Sequence, residues 1–141
     1  MRGFTLIELL VVLAIFIVLL AIILPMGIRL YQIELLNKTQ AQLVWLLREA
    51  RDNSVNQKNN SYFGVKILPE EMVLFRGDSY ENRMVDEEEV SIYPNTINIT
   101  GLEEIIFNPT TGFTNTSGSI LLSSSSASRE IQINQIGTIN Y

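Results

Sequence analysis

A single carboxylate, Glu8, precedes an unbroken apolar run from Leu9 to Leu24. A lone acidic side chain at membrane depth costs about 2.5–3.5 kcal/mol on insertion scales, so its presence points to a function. The chemistry open to it is charge pairing, because a carboxylate in hydrocarbon needs a cation or hydrogen-bond donors. Phe4 lies four residues earlier and would share a helix face with Glu8.

The segment Arg2-Gly3-Phe4-Thr5, followed by Glu8 and the apolar run, resembles the amino-terminal signature of type IV pilins and pseudopilins. In that family a prepilin peptidase cuts after the glycine and methylates the new amino terminus. The resemblance places this cleavage between Gly3 and Phe4 and the methyl group on Phe4. It also implies that Thr5 and Glu8 act in assembly and register, with the helix serving as membrane anchor and filament core.

Cleavage would give Phe4 a free amine, which titrates near pH 8 and is largely protonated at neutral pH. Glu8 could then be neutralised by the amine of its own chain, or by that of a neighbour displaced along a filament axis. The sequence leaves both pairings open. The simpler alternative is an ordinary anchor with a glutamate near its interfacial end, but the joint match of Gly3, Phe4, Thr5 and Glu8 favours the pilin-like interpretation.

The apolar segment is too long for an ordinary secretory signal, whose core has about 7–15 residues and precedes a small-residue cleavage site. Phe4 to Leu24 gives 21 residues, about 32 Å of helix and enough to span a bilayer. Arg2 places positive charge at the cytoplasmic edge. We therefore predict a single pass with the N-terminus cytoplasmic, and the resemblance implies that the membrane is the bacterial inner membrane and that the C-terminal domain is extracytoplasmic or periplasmic. Pro25 is expected to kink the helix, as in pilins.

Beyond Pro25 the pattern becomes amphipathic. An apolar stripe is formed by Leu36, Leu43, Leu47 and Ala50, and we expect Trp45 and Leu46 to widen it. Polar residues from Asn53 to Asn60 end the pattern. The prediction is one helix of about 50 residues, half in lipid and half packed on a domain.

Short β-like runs fill the remainder of the chain. Phe63 to Ile67 and Met72 to Phe75 flank a turn and predict a hairpin. Further strands are predicted at Val90–Tyr93, Ile97–Ile99, Ile105–Phe107, Ser119–Leu122, Glu130–Asn134 and Thr138–Tyr141. The fold class is therefore α+β, a long N-terminal helix packed on a small antiparallel sheet domain. The predicted segments are a leader at 1–3, a membrane and filament-core helix at 4–24, an amphipathic half at 25–56 and a β-rich domain at 57–141.

Composition argues against catalysis. The chain has no histidine and no cysteine, which removes the usual general base, thiolate chemistry and the commonest metal ligands. We expect no enzyme activity, no cofactor and no metal site. The acidic run Asp86–Glu89 could collect a hard cation, but a solvated loop is the preferred interpretation. The net charge is −5, and becomes −6 when Arg2 leaves with the leader, which disfavours a nucleic-acid surface.

The C-terminal third resembles the GspH/FimT group of minor pseudopilins and minor pilins. The matching residues are Ile106-Phe107-x-Pro109-x-x-Gly112, Gly118-Ser119-Ile120-x-Leu122 and Arg129-x-Ile131-x-Ile133-x-x-x-Gly137. The resemblance implies a minor pseudopilin of type II secretion or, alternatively, a FimT-like minor type IV pilin. Implied partners are other pilin-like subunits, the prepilin peptidase, an inner-membrane assembly platform and lipid. Residues 137–141 carry no basic side chain, so binding of nucleic acid is not expected.

Two other classes of function stay open. A DNA-uptake or adhesive module would need a ligand surface, for which Gly77–Glu89 and Ser123–Ser128 are the candidate segments. The serine tract is expected to be a flexible polar loop. A membrane-anchored enzyme is the third class, and no acid–base constellation in the sequence supports it.

Overall fold

The computed structural model describes residues 4–56 and 60–141. Within these ranges one α-helix, α1 (Leu6–Val55), has 50 residues, the predicted length. The same ranges contain eight strands: β1 (Phe63–Leu68), β2 (Glu71–Arg76), β3 (Glu89–Ile92), β4 (Asn98–Gly101), β5 (Glu104–Phe107), β6 (Gly118–Ser123), β7 (Ser128–Ile133) and β8 (Ile139–Asn140). A 3-10 turn, Val85–Glu87, precedes β3.

The two halves of α1 have different surroundings. No residue of the most apolar stretch is buried within the chain, and the helix is long and apolar enough to cross a membrane. In the second half the predicted stripe is confirmed, because all four of its residues have 0% exposure: Leu36, Leu43, Leu47 and Ala50. The prediction for Trp45 is wrong, since this side chain is 49% exposed. Two residues correspond to about 200° of helix rotation, which places Trp45 opposite both Leu43 and Leu47.

The strands form two four-stranded sheets. The first sheet has the order β3-β2-β1-β5 and the second has β4-β6-β7-β8. All pairings between these strands are antiparallel. The chain leaves the first sheet after β3, enters the second with β4, returns for β5 and then completes the second sheet. The α+β prediction is confirmed, whereas the division into two sheets was not foreseen.

The core lies between α1 and both sheets. In the first sheet Val65 stands opposite Leu74 on one side and Ile105 on the other. In the second sheet Ile120 stands opposite Ile131. These five side chains are at most 5% exposed. Alternate residues of a strand share a face, so each sheet presents one apolar face to the helix. Burial of these faces is the main stabilising term of the domain.

The segment between β2 and β3, residues 77–88, covers the other face of the first sheet. Phe75 is fully buried there although it lies outside the core cluster beside α1. The Tyr80 ring meets the Phe75 ring edge-on, with centroids 5.6 Å apart. Gly64 makes room for this packing, because a Cβ at that position would lie 2.6 Å from Phe75 Cζ. The segment 77–88 is thus an integral part of the domain.

Candidate functional site

Thr5 and Glu8 close the first turn of α1 with reciprocal hydrogen bonds. The Glu8 N–H donates to Thr5 Oγ1 at 3.3 Å, and the Thr5 N–H donates to Glu8 Oε2 at 3.3 Å. The Thr5 hydroxyl also donates to Glu8 Oε2, at 3.3 Å. This is a capping box, which satisfies N–H groups that a helix start leaves free. We did not predict it, although Thr-x-x-Glu before an apolar run is its sequence signal.

Glu8 retains bonding capacity beyond the cap. Both Thr5 donors reach Oε2, and no donor among residues 4–56 and 60–141 reaches Oε1. An ionised carboxylate can accept about four hydrogen bonds, so another donor can be added without breaking the cap. Phe4 is 86% exposed, and Gly3 lies outside the described residues. The cleavage, the methylation and the pairing of Glu8 with an amine stay predictions.

The first part of α1, from Leu6 to Leu24, is an uncovered apolar surface, and we call it the anchor half. Each large apolar side chain from Leu6 to Leu24 is at least 46% exposed. Apolar surface of this extent marks contact with a membrane or with other proteins. Pro25 lies inside the helix, seven residues before Gln32. Proline removes one donor from the helical ladder, and the kink expected at Pro25 stays a prediction.

The serine tract is held against the helix. The hydroxyls of Ser125 and Ser126 both donate to Gln32 Oε1, at 2.5 and 2.7 Å. Within the tract, the Ser124 N–H donates to the Ala127 carbonyl at 2.8 Å. The tip of the β6–β7 hairpin is therefore fastened to α1 beside the anchor half. The serine-rich sequence predicts a flexible loop and not this attachment, because composition does not reveal a partner more than 90 residues away in sequence.

Replacing both Ser125 and Ser126 by alanine should release this hairpin tip. Two hydrogen bonds of this kind contribute about 1–2 kcal/mol together, so exchange of the Ser124 amide hydrogen should accelerate about tenfold. Hydrogen–deuterium exchange on the full chain in detergent measures this. Ser128→Ala is the matched control, because the Ser128 hydroxyl makes no hydrogen bond with the described residues. Unchanged exchange at Ser124 in the double variant would contradict the fastening role.

The acidic run is partly neutralised by arginines. Arg76 Nη1 lies 3.0 Å from Glu87 Oε1, and Arg83 Nε lies 2.9 Å from Glu88 Oε1. The Arg83 guanidinium also stacks over the Tyr80 ring, 3.9 Å from its centroid. In the described part of the chain no group of three or more acidic, histidine or cysteine side chains could hold a metal ion. The sequence pattern showed the charges but not these arginine partners.

A cleft of about 410 Å³ lies between the two sheets, at the free edge of β4. The Tyr93 hydroxyl in this cleft donates to the Leu68 carbonyl at 2.8 Å, and burial raises the pKa of the Tyr93 phenol. Lys66 Nζ lies 3.6 Å from carboxylate oxygens of both Glu103 and Glu104. The hydroxyl of Tyr93 and the ammonium group of Lys66 are therefore both engaged in contacts within the domain.

Two glycines of the C-terminal pattern pack against the end of α1. Gly112 and Gly137 have φ values of 63° and 75°, a region that favours glycine. A Cβ on Gly112 would lie 2.5 Å from Val55 Cγ2, and one on Gly137 would lie 3.0 Å from Arg51 Nε and overlap the Gly112 carbonyl oxygen. Glycine is required at both positions because the turns that contain Gly112 and Gly137 pack closely against the C-terminal end of α1.

The C-terminal residue Tyr141 contacts α1 near the C-terminal end of the helix. Arg48 Nη2 donates to the Tyr141 hydroxyl at 3.2 Å, and its guanidinium lies 5.1 Å from the centre of that ring. Arg129 Nη1 donates to the Ser128 carbonyl at 3.0 Å. The guanidinium groups of Arg48 and Arg129 thus make their hydrogen bonds to residues of the β-rich domain.

The described residues define a class of protein in which one membrane-capable helix with a capped start is continuous with the helix half that packs on a β-rich domain. Residues 1–24 match the model of the prokaryotic N-terminal methylation motif, which is a type IV prepilin-like leader. This motif supports a structural protein of the type IV pilin or pseudopilin kind. The match ends before the strands that resemble the GspH/FimT group. Neither the curated proteins nor the solved structures searched gave a match to the chain.

Proposed function

We propose that this chain is a minor pseudopilin of the GspH/FimT group, a structural subunit of a type II secretion pseudopilus. The supporting observation is a methylation motif that leads directly into a helix with uncovered apolar side chains. Prepilin peptidase cuts between Gly3 and Phe4 and methylates Phe4. The N-terminus lies on the cytoplasmic side of the inner membrane, and the β-rich domain lies in the periplasm.

Assembly proceeds through the anchor helix. An inner-membrane platform adds the subunit to a hetero-oligomeric filament, where its apolar side chains exchange lipid for neighbouring helices. Helix association in lipid depends on close packing and polar pairing rather than on exclusion of water. Glu8 sets the stagger, because a neighbour's ammonium group at the wrong height leaves a carboxylate unpaired in hydrocarbon. The free Oε1 of Glu8 supports this role.

A minor type IV pilin of the FimT kind is the second candidate, and the same motif supports it. Deleting the gene distinguishes the two. A pseudopilin mutant should leave exported proteins inside the cell, whereas a pilin mutant should lose pilus-dependent surface movement. DNA uptake is disfavoured for either, because residues 137–141 lack the basic side chains that contact phosphates.

Gly3→Val should abolish processing of the leader. The peptidase of this family accepts glycine before the cut, and a branched side chain there obstructs the scissile bond. Mass spectrometry of the native protein should find methylated Phe4 at the N-terminus, and the variant should retain Met1. Thr5→Ala is the control, since it leaves the Gly3–Phe4 bond unchanged and should be trimmed normally. An intact Met1 in the native protein, or trimming of the Gly3 variant, would overturn the proposal.

A further inference from the structure

One edge of the first sheet carries exposed apolar side chains outside the anchor. The side chains are Met84, Val85, Val90 and Ile92, with 52%, 67%, 51% and 76% exposure. We call these four residues the β3 edge. Among residues 4–56 and 60–141, β3 pairs with β2 alone, so its other side is an open sheet edge within this part of the chain. Natural proteins usually protect such edges with charges, proline or a covering segment, and apolar side chains here indicate a contact surface.

The exposure is local rather than a property of the whole face. Val90 stands directly opposite Val73, which is 1% exposed, and Ile92 stands opposite Glu71. On the same face, the segment 77–88 covers Phe75. On this face the apolar side chains of β2, Val73 and Phe75, are buried. Those of the neighbouring strand β3, Val90 and Ile92, are exposed.

Unpaired carboxylates surround the β3 edge. Glu71, Asp86 and Glu89 neighbour its apolar residues by strand pairing or in sequence. None of the three makes an ion pair or side-chain hydrogen bond with the described residues. By contrast, Glu87 and Glu88 are bound by arginines. The edge thus combines exposed apolar side chains with three negative charges that have no cation among the described residues, and Glu89 lies on the opposite face of β3 from Val90 and Ile92.

We infer that the β3 edge binds a neighbouring pilin-like subunit of different sequence, whose contact surface is apolar and rimmed by lysine or arginine. That the neighbour is a pilin-like subunit rests on the proposed function. That its contact surface carries lysine or arginine rests on the unpaired carboxylates of the β3 edge. A second copy binding through the same edge would bring six carboxylates together, because a two-fold contact duplicates each group. An anionic bilayer would be repelled by the same charges.

Site-specific cross-linking on the full chain in its native membranes tests this inference. A photoreactive residue is introduced at Ile92 and, as the matched control, at Ile136, which is 53% exposed on the turn between β7 and β8. Cross-linking from position 92 should exceed that from position 136. Mass spectrometry should identify the adduct as another protein with its own N-terminal methylation motif, joined through a peptide that contains lysine or arginine.

Charge reversal provides the second arm. Combining Glu71→Lys with Asp86→Lys should reduce the adduct from position 92 about fivefold, since two rim pairs contribute about 1 kcal/mol. Both residues are exposed or half-buried and unpaired among the described residues, so folding should persist, and the unfolding temperature of each variant checks this. Equal adducts from both positions, a second copy as the partner, a partner without the motif, or insensitivity to charge reversal would each overturn the inference.

The state of the N-terminus separates this inference from the proposed function. Methylated Phe4 and co-sedimentation with filaments, together with no adduct from position 92, would refute the β3 contact alone. An untrimmed N-terminus in the same preparation would instead refute the proposed function.

Discussion

Glu8→Leu should insert into the membrane normally and fail to enter filaments. The substitution lengthens the apolar run and removes the charge that selects the stagger in the proposed assembly. A carboxylate left unpaired in hydrocarbon costs about 2.5–3.5 kcal/mol, which corresponds to a preference of about 100-fold for the correctly paired position. Incorporation relative to wild type is measured by immunoblotting of sheared filament fractions, and insertion by carbonate extraction of membranes. Wild-type incorporation would contradict the role of Glu8.

Glu8→Gln separates the charge from the helix cap. Glutamine keeps an oxygen that can accept from the Thr5 N–H and hydroxyl, the two bonds now made to Glu8 Oε2. The cap should therefore survive while pairing with an ammonium group weakens. We expect this variant to be as poorly incorporated as Glu8→Leu. Near-normal incorporation of the glutamine variant alone would mean that the capping box, rather than the charge, is what assembly requires.

Gly137→Ala should strongly destabilise the domain. A left-handed conformation costs a residue with Cβ about 1–2 kcal/mol, and the added methyl group would also overlap the Gly112 carbonyl oxygen. Because backbone must shift to relieve the overlap, we expect a total loss of about 2–4 kcal/mol. For a domain of this size the unfolding temperature should fall by about 10–20 °C. Circular dichroism of the full chain in detergent measures it.

Gly27→Ala is the matched control for this prediction. Gly27 lies in α1 with nothing within 4 Å of an added Cβ, and alanine favours a helix over glycine by about 0.5–1 kcal/mol. The same chemical change should thus leave the unfolding of the domain unaltered. Equal unfolding temperatures for Gly137→Ala and the wild type would show that the turn relaxes without cost, against the packing described for Gly112, Gly137 and Arg51.

Local pattern was enough to predict the elements of this fold. The helix stripe at Leu43, Leu47 and Ala50 follows the 3.6-residue period, and alternating side chains in β6 and β7 follow the period of two. These periods carry information about neighbours in sequence only. The division into two sheets depends on which strands pair across long separations in sequence. For example, β1 pairs with β2 on one side and with the distant β5 on the other. No period in the chain encodes that choice.

The site was predictable to a similar extent. Residue types and spacing at the N-terminus singled out Glu8, but its bonds to Thr5 required a defined helix start. Long-range contacts were missed because each depends on the tertiary fold. The hydrogen bonds from Ser125 and Ser126 to Gln32 span more than 90 residues. The pairing of Arg76 with Glu87 needs a folded loop to bring the two together.

The fastening of the β6–β7 tip at Gln32 has a consequence for how the domain stands on the bilayer. At 1.5 Å per residue, α1 rises about 39 Å from Leu6 to Gln32. A bilayer including its headgroup layers is about 40–45 Å thick. In the proposed topology, a helix that starts at the inner interface would therefore bring Ser125 and Ser126 to the level of the outer lipid headgroups. The domain would then lie directly on the lipid surface, and no flexible linker would separate it from the membrane.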